Sequence, residues 1–165
     1  QGFYLPLFEE VLDAFPDPVI NVDLKADSRA LADAMMRLLR DRGEEERVIL
    51  ASFSHKNLLR LRHGGYRGMT ALPKAEVAAT LFVPNLLLRC LPYRGDAAQV
   101  PTGEGSIKLA TEKTIRKMHE LGLRVDFWTI NDPDEAVRLM QLGADGIMTD
   151  DPKVVAPAVR AHLAS

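Results

Sequence analysis

The run Asn21-Val22-Asp23-Leu24-Lys25 sets an acid and a base two residues apart. In an extended strand, alternation places Asn21, Asp23 and Lys25 on one face. Turned toward a ligand, Asp23 could hold a divalent cation and Lys25 the phosphate oxygens that such a cation polarises. A structural Asp23–Lys25 ion pair at a strand end is the alternative. Ser52-Phe53-Ser54 offers hydroxyls that could face a ligand or cap the helix that follows. Trp128-Thr129-Ile130-Asn131-Asp132 joins the only tryptophan to a polar rim. An aromatic wall beside polar groups would suit an alcohol with both hydroxyl and hydrocarbon surface; core packing of Trp128 and capping by Asn131 or Asp132 are the structural alternatives. The segment from Gly143 to Asp150 is accounted for by a helix stop, a turn, a buried strand and a new cap.

Other chemistries leave no mark. The four histidines, His55, His63, His119 and His162, fall on predicted helices or their ends, no pair has zinc-ligand spacing, and none is expected to be catalytic. There is no Walker A loop, dinucleotide fingerprint or nucleophile elbow. Cys90 stands alone, which excludes an intramolecular disulfide, and is expected to be buried and inert.

The elements that must position these residues alternate. Leu5 to Phe15 carries helical spacing and ends at Pro16 and Pro18. Val19 to Leu24 reads as a strand, Ser28 to Arg42 as a helix stopped by Gly43, and Arg47 to Phe53 as a strand. A short helix runs to Arg62, a brief strand spans Met69 to Leu72, and a helix follows from Ala75 to about Phe82. Between Pro84 and Ile107, Pro84, Pro92, Pro101 and three glycines break the pattern, with a strand placed at Ala97 to Val100. Thr111 to Leu121 is a helix, Arg124 to Ile130 a strand, Asp132 to Leu142 a capped helix, Ala144 to Thr149 a strand, and Asp150-Asp151-Pro152 opens a last helix to Leu163. About six βα units on a parallel sheet result, in one domain over residues 1–165. Periodicity alone does not choose between an open sheet and part of a barrel, whose full form takes about 250 residues.

Composition fits that reading. Hydrophobic residues make up 47% and charged residues 27%, an ordinary globular balance. A net charge of −2, from 21 basic and 23 acidic side chains, provides no broad field for nucleic acid or an anionic bilayer. No apolar run reaches the roughly 20 residues of a membrane span, and no signal peptide is visible, so a cytoplasmic location is expected.

The residues also resemble a family. Pro6 to Leu12 resembles the segment before the third barrel strand of glycerophosphodiester phosphodiesterases, and Val19 to Lys25 resembles that strand. Val125 to Pro152 is similar to the family's closing pattern, a WTxN strand end followed by GxDGIxTDxP. The resemblance implies a (β/α)8 TIM barrel, incomplete at the N-terminus, of which this chain supplies strands three to eight. It implies hydrolysis of a small-molecule glycerophosphodiester to glycerol 3-phosphate and an alcohol with a bound divalent cation, Ca2+ or Mg2+. Asp23 falls where the family commonly has a metal-binding glutamate. Lys25 matches a catalytic, phosphate-contacting lysine, Trp128 an aromatic pocket residue, and Gln99 and Asn131 further pocket wall.

The family's His-Arg-Gly, Glu-x-Asp and following histidine do not occur in these 165 residues. The resemblance thus implies that the acid and base lie upstream of residue 1 and that this chain alone is inactive. Two missing strands would leave barrel edges for an N-terminal segment or a second copy to cover. A non-catalytic phosphate-binding or assembly module, and a lyase releasing a cyclic phosphate, are the competing readings.

Overall fold

The computed structural model describes residues 4–90 and 95–164; Pro92 lies outside them. The chain is α/β. Its elements are α1 (Phe8–Ala14), β1 (Ile20–Asp23), α2 (Arg29–Arg42), a 3-10 turn (Glu45–Arg47), β2 (Val48–Ala51), α3 (His55–His63), α4 (Lys74–Phe82) and α5 (Asn85–Leu88), then β3 (Ala97–Val100), β4 (Gly103–Glu104), β5 (Ile107–Lys108), α6 (Glu112–His119), β6 (Arg124–Phe127), α7 (Pro133–Gln141), β7 (Gly146–Ile147) and α8 (Pro152–Leu163).

Local signals set most boundaries. The Ser28, Ser54, Thr111, Asp132 and Asp151 side chains each accept a backbone N–H in the first turn of the helix they open. Gly43 closes α2 at φ 70°, a left-handed position that favours glycine.

β1 pairs parallel with β2, and β6 pairs parallel with β3 and with β7. The expected strand from Met69 to Leu72 survives only as single bridges, Thr70 to Leu50 and Ala71 to Ala97. Those bridges knit the two ladders into one succession: Ala71 N donates to Leu50 O at 2.9 Å and Leu72 N to Ala97 O at 2.8 Å. Parallel strands thus follow one another in chain order, without the reversal of a doubly wound sheet.

The succession is curved. β1 and β3 stand three ladder spacings apart, roughly 14 Å in a flat sheet, yet Gln99 Nε2 donates to Asn21 Oδ1 at 2.9 Å. Alternation sorts the two faces. Val48, Leu50, Ala98, Val100, Val125 and Phe127 join the cores beneath the helices, whereas Asn21, Asp23, Gln99 and Asp126 occupy the concave side.

Two expectations are corrected. Cys90 is exposed rather than buried, because it follows the four-residue α5 at the surface, where its thiol reaches Leu86 O at 3.5 Å. The Pro- and Gly-rich stretch contains, besides β3, the helix α5 and a β4–β5 hairpin that local patterning does not announce. Among the described residues, no helix is long and apolar enough to cross a membrane.

Candidate functional site

At the C-terminal ends of the strands lies a cleft of about 650 Å³ whose lining includes Asn21, Asp23, Lys25, Gln99 and Trp128. Four of the five predicted site residues are therefore brought together. Asn131 is outside the lining: its Oδ1 accepts from the Thr149 hydroxyl and the Asp150 N–H, each at 2.9 Å, bracing a segment that does line it. None of the four histidines lines the cleft.

Lys25 reaches back to Asp23 Oδ2, and its ammonium sits 5.1 Å from the centre of the Phe53 ring. An ammonium has three donors, so pairing with Asp23 leaves two for a ligand, and the lysine side chain is largely exposed. Asp23 is different. Its Oδ1 is buried and has no hydrogen-bond partner among the described residues. A carboxylate oxygen withdrawn from water without a donor is costly, and a hard cation would satisfy it. Among the described residues, no group of three or more His, Cys, Asp or Glu is arranged to hold a metal, so Asp23 fits such an ion as one ligand only.

The backbone carrying Lys25 is held on both sides, by Ser52, one of the hydroxyls the sequence offered to a ligand, and by Asn57, which sequence reading passes over. Ser52 Oγ donates to Leu24 O at 2.7 Å, and the fully buried Asn57 donates from Nδ2 to Ala26 O at 2.7 Å and to Ser52 Oγ at 3.3 Å. Ser54 caps α3, the structural alternative set out above. An asparagine one turn after a capping serine, on a helix face that is otherwise leucine, is the only sequence signal. Asn57→Ala is expected to cost about 1–3 kcal/mol by leaving Ala26 O and Ser52 Oγ short of a partner. Urea unfolding measures it; a loss within a few tenths of a kcal/mol would show the brace to be dispensable.

A second acid was missed. Asp126 is 3% exposed on β6, in register with Gln99 on one side and Gly146 on the other. A Cβ at position 146 would sit 2.3 Å from Asp126 Oδ1, so glycine makes room for the carboxylate. Arg124 Nε lies 2.8 Å from that oxygen, an ion pair by distance without hydrogen-bond alignment. Burial pushes the Asp126 carboxyl up, against the lowering pull of Arg124 and of the neighbouring Gln99. The folded state therefore binds this proton more tightly than the unfolded chain does. The resulting stability is present below the unfolded pKa of about 4 and is lost as pH rises through the folded one. Asp126→Asn should then gain on the native chain as pH rises above about 4 in urea titrations. A variant that instead falls further behind at neutral pH would make the Arg124 attraction dominant over burial.

A curved parallel α/β chain whose strand ends gather a lysine and a carboxylate in one cleft fits a class of small-ligand sites. Residues 8–154 match the model of the glycerophosphoryl diester phosphodiesterase family, and the chain belongs to that family. It is 29% identical over 154 residues to the Probable glycerophosphodiester phosphodiesterase 2 of Mycobacterium tuberculosis, covering 90% of this chain and 58% of that one. It is 25% identical over 171 residues to the Lysophospholipase D GDPD1 of Rattus norvegicus, covering 90% and 54%. Among solved structures, it superimposes on a glycerophosphodiester phosphodiesterase from Agrobacterium tumefaciens with a TM-score of 0.71 at 16% identity, over 94% of this chain and 62% of that one. An Oleispira antarctica phosphodiesterase in complex with the product sn-glycerol-3-phosphate gives a TM-score of 0.62 at 17% identity, over 92% and 58%. The chain thus spans little more than half the length of these curated relatives.

Proposed function

We propose that this chain is the larger, C-terminal part of a (β/α)8 glycerophosphodiester phosphodiesterase, contributing six of eight βα units. The observation that carries the reading is the pairing of Lys25 with an Asp23 whose second oxygen is buried without a donor, at the mouth of a curved sheet in a chain of this family. The substrate is a glycerophosphodiester; water attacks phosphorus, the ester bond to the alcohol breaks, and sn-glycerol 3-phosphate and the protonated alcohol leave.

In this reading Lys25 binds the phosphate oxygens and offsets the charge that gathers on them in the transition state. Trp128 lines the cleft beside the glycerol end, and Gln99, held by Asn21, orients a polar group. Asp23 would supply one ligand to a Ca2+ or Mg2+ ion, which would serve to polarise the phosphoryl group; its other ligands would have to come from water, substrate and an adjoining segment. That segment adds strands at the edges of β1 and β7, each of which has a ladder partner on one side only among the described residues, and brings the acid and base. A second copy of the chain is the other way of covering those edges.

The test extends the chain at its N-terminus by the two missing strands and assays glycerophosphocholine. Release of sn-glycerol 3-phosphate that a chelator stops and added Mg2+ or Ca2+ restores is the expected result. Asp23→Ala should raise the metal concentration required by about 100-fold or more, and calorimetric titration of the ion should weaken in step. An unchanged metal requirement would remove Asp23 from the shell, and a cyclic phosphate product would replace hydrolysis by a lyase reaction.

A further inference from the structure

Phe53 is 71% exposed, yet it lines the strand-end cleft and belongs to neither core. Core packing therefore does not account for an aromatic side chain there. Its place is nevertheless fixed, because the turn Ser52-Phe53-Ser54 is held at both flanks. Ser52 is buried, its Oγ donating to Leu24 O at 2.7 Å and accepting from Ser54 N at 3.1 Å, and Ser54 caps α3. Leu24 N in turn donates to Ala51 O at 2.8 Å. The backbone that carries Phe53 is thus bonded to the backbone that carries Lys25 through both the N–H and the C=O of Leu24.

Lys25 gains from such a support. Its side chain is 75% exposed, and a four-carbon stem with that much freedom samples many rotamers in water. Two groups give its ammonium a position. Asp23 Oδ2 pairs with it, and the centre of the Phe53 ring lies 5.1 Å away, within the roughly 6 Å over which the negative face of an aromatic ring attracts a cation. The two contacts differ in what they leave open. A carboxylate oxygen takes up one N–H donor, whereas a ring face attracts the whole ammonium and leaves its remaining donors to a ligand. A positive charge already in place stabilises developing negative charge without reorganising.

We propose that Phe53 is a positioning residue for Lys25: the face of its ring holds the ammonium at the mouth of the cleft, where the phosphate oxygens meet it. The proposal rests on the phosphodiesterase reading, because that reading sets the phosphate at Lys25. It gives the ring no contact with the reacting atoms. Tyrosine keeps the negative ring face and can take its place; leucine keeps apolar bulk but has no such face, and cannot.

The experiment titrates the 165-residue chain with sn-glycerol 3-phosphate in the presence of Mg2+, following the fluorescence of Trp128. Phe53 is replaced by leucine, by tyrosine, and by phenylalanines carrying progressively more ring fluorine, which drains the ring face of electron density at nearly constant shape. Phe53→Leu is expected to weaken binding roughly two- to fivefold, the size of an exposed cation–π contact. Phe53→Tyr should bind as the native chain does, and the fluorinated rings should weaken binding step by step. Proton NMR gives a second readout: the Lys25 methylene next to the ammonium, identified by its loss in Lys25→Ala, should be shifted upfield by the ring and return in Phe53→Leu. Native affinity in Phe53→Leu, while Lys25→Ala still abolishes binding, overturns the positioning role and spares the phosphodiesterase reading. A loss in Phe53→Leu that fluorination does not reproduce also overturns it, since the ring would then serve the ligand as apolar surface. So does a methylene signal that Phe53→Leu leaves in place. A ligand response indifferent to Lys25→Ala overturns the phosphodiesterase reading and the proposal with it.

Discussion

Lys25→Ala in the N-terminally extended enzyme is expected to lower kcat/KM for glycerophosphocholine by about 10²–10³, the loss that follows removal of one preorganised group facing transition-state charge. The side chain stands free enough to reach a ligand, since it is largely exposed; among the described residues its ionic partner is Asp23, and the Phe53 ring lies beside its ammonium. Most of the loss should appear in kcat, because phosphate charge grows as the bond to the alcohol breaks. Lys25→Arg keeps the positive charge but trades a compact point charge for a planar fork on a different stem, so partial recovery is expected. Unchanged turnover in Lys25→Ala, with normal unfolding behaviour, would assign the lysine a structural role as the partner of Asp23.

The second large effect concerns stability. The ladder is thinnest at Thr70 and Ala71, where one bridge on each side joins the two halves of the succession. Arg62, with its side chain 6% exposed, reinforces that point: it donates to Glu76 at 2.7 Å, to the Thr70 hydroxyl at 3.0 Å and to Ala71 O at 3.0 Å. Glu76 lies in the first turn of α4 and also accepts from Gly95 N at 3.3 Å. Arg62→Leu would leave a largely buried carboxylate unpaired, and breaking such a pair costs about 3–5 kcal/mol. The double change Arg62→Leu with Glu76→Leu should recover much of the loss, because both charges then go together. Chemical denaturation of the four proteins gives the cycle. Additive losses would mean that Arg62 acts through its backbone acceptor and not through Glu76.

Comparison of expectation and structure follows a physical divide. Helices with caps at both ends, such as Ser28 to Gly43, are legible because their signals are local. So is the shared face of Asn21, Asp23 and Lys25, because strand alternation needs no knowledge of the fold. What was not legible depends on contacts distant in sequence. The Asn21–Gln99 bond that reveals curvature joins residues 78 positions apart, and Asn57 reaches Ala26 across 31. Asp126 sits in a strand that reads as ordinary core, and only its ladder neighbour Gly146 explains why a carboxylate fits there. Cys90 was placed in the interior on residue type, which a short surface helix overrode. The segment at Thr70 and Ala71 reads as a longer strand than it forms: backbone bonds to Leu50 and Ala97 hold it at single bridges, and Arg62 braces it from the side.

The central claim is that the strand ends gather a phosphate site in which Lys25 and Trp128 share one ligand. Trp128, the sole tryptophan, lines the same cleft as Lys25, so its fluorescence reports the site without a label. Titration of the chain with sn-glycerol 3-phosphate in the presence of Mg2+ or Ca2+ should give a saturable change that Lys25→Ala abolishes. A tryptophan signal indifferent to the ligand, or one that persists unchanged in Lys25→Ala, would contradict the account.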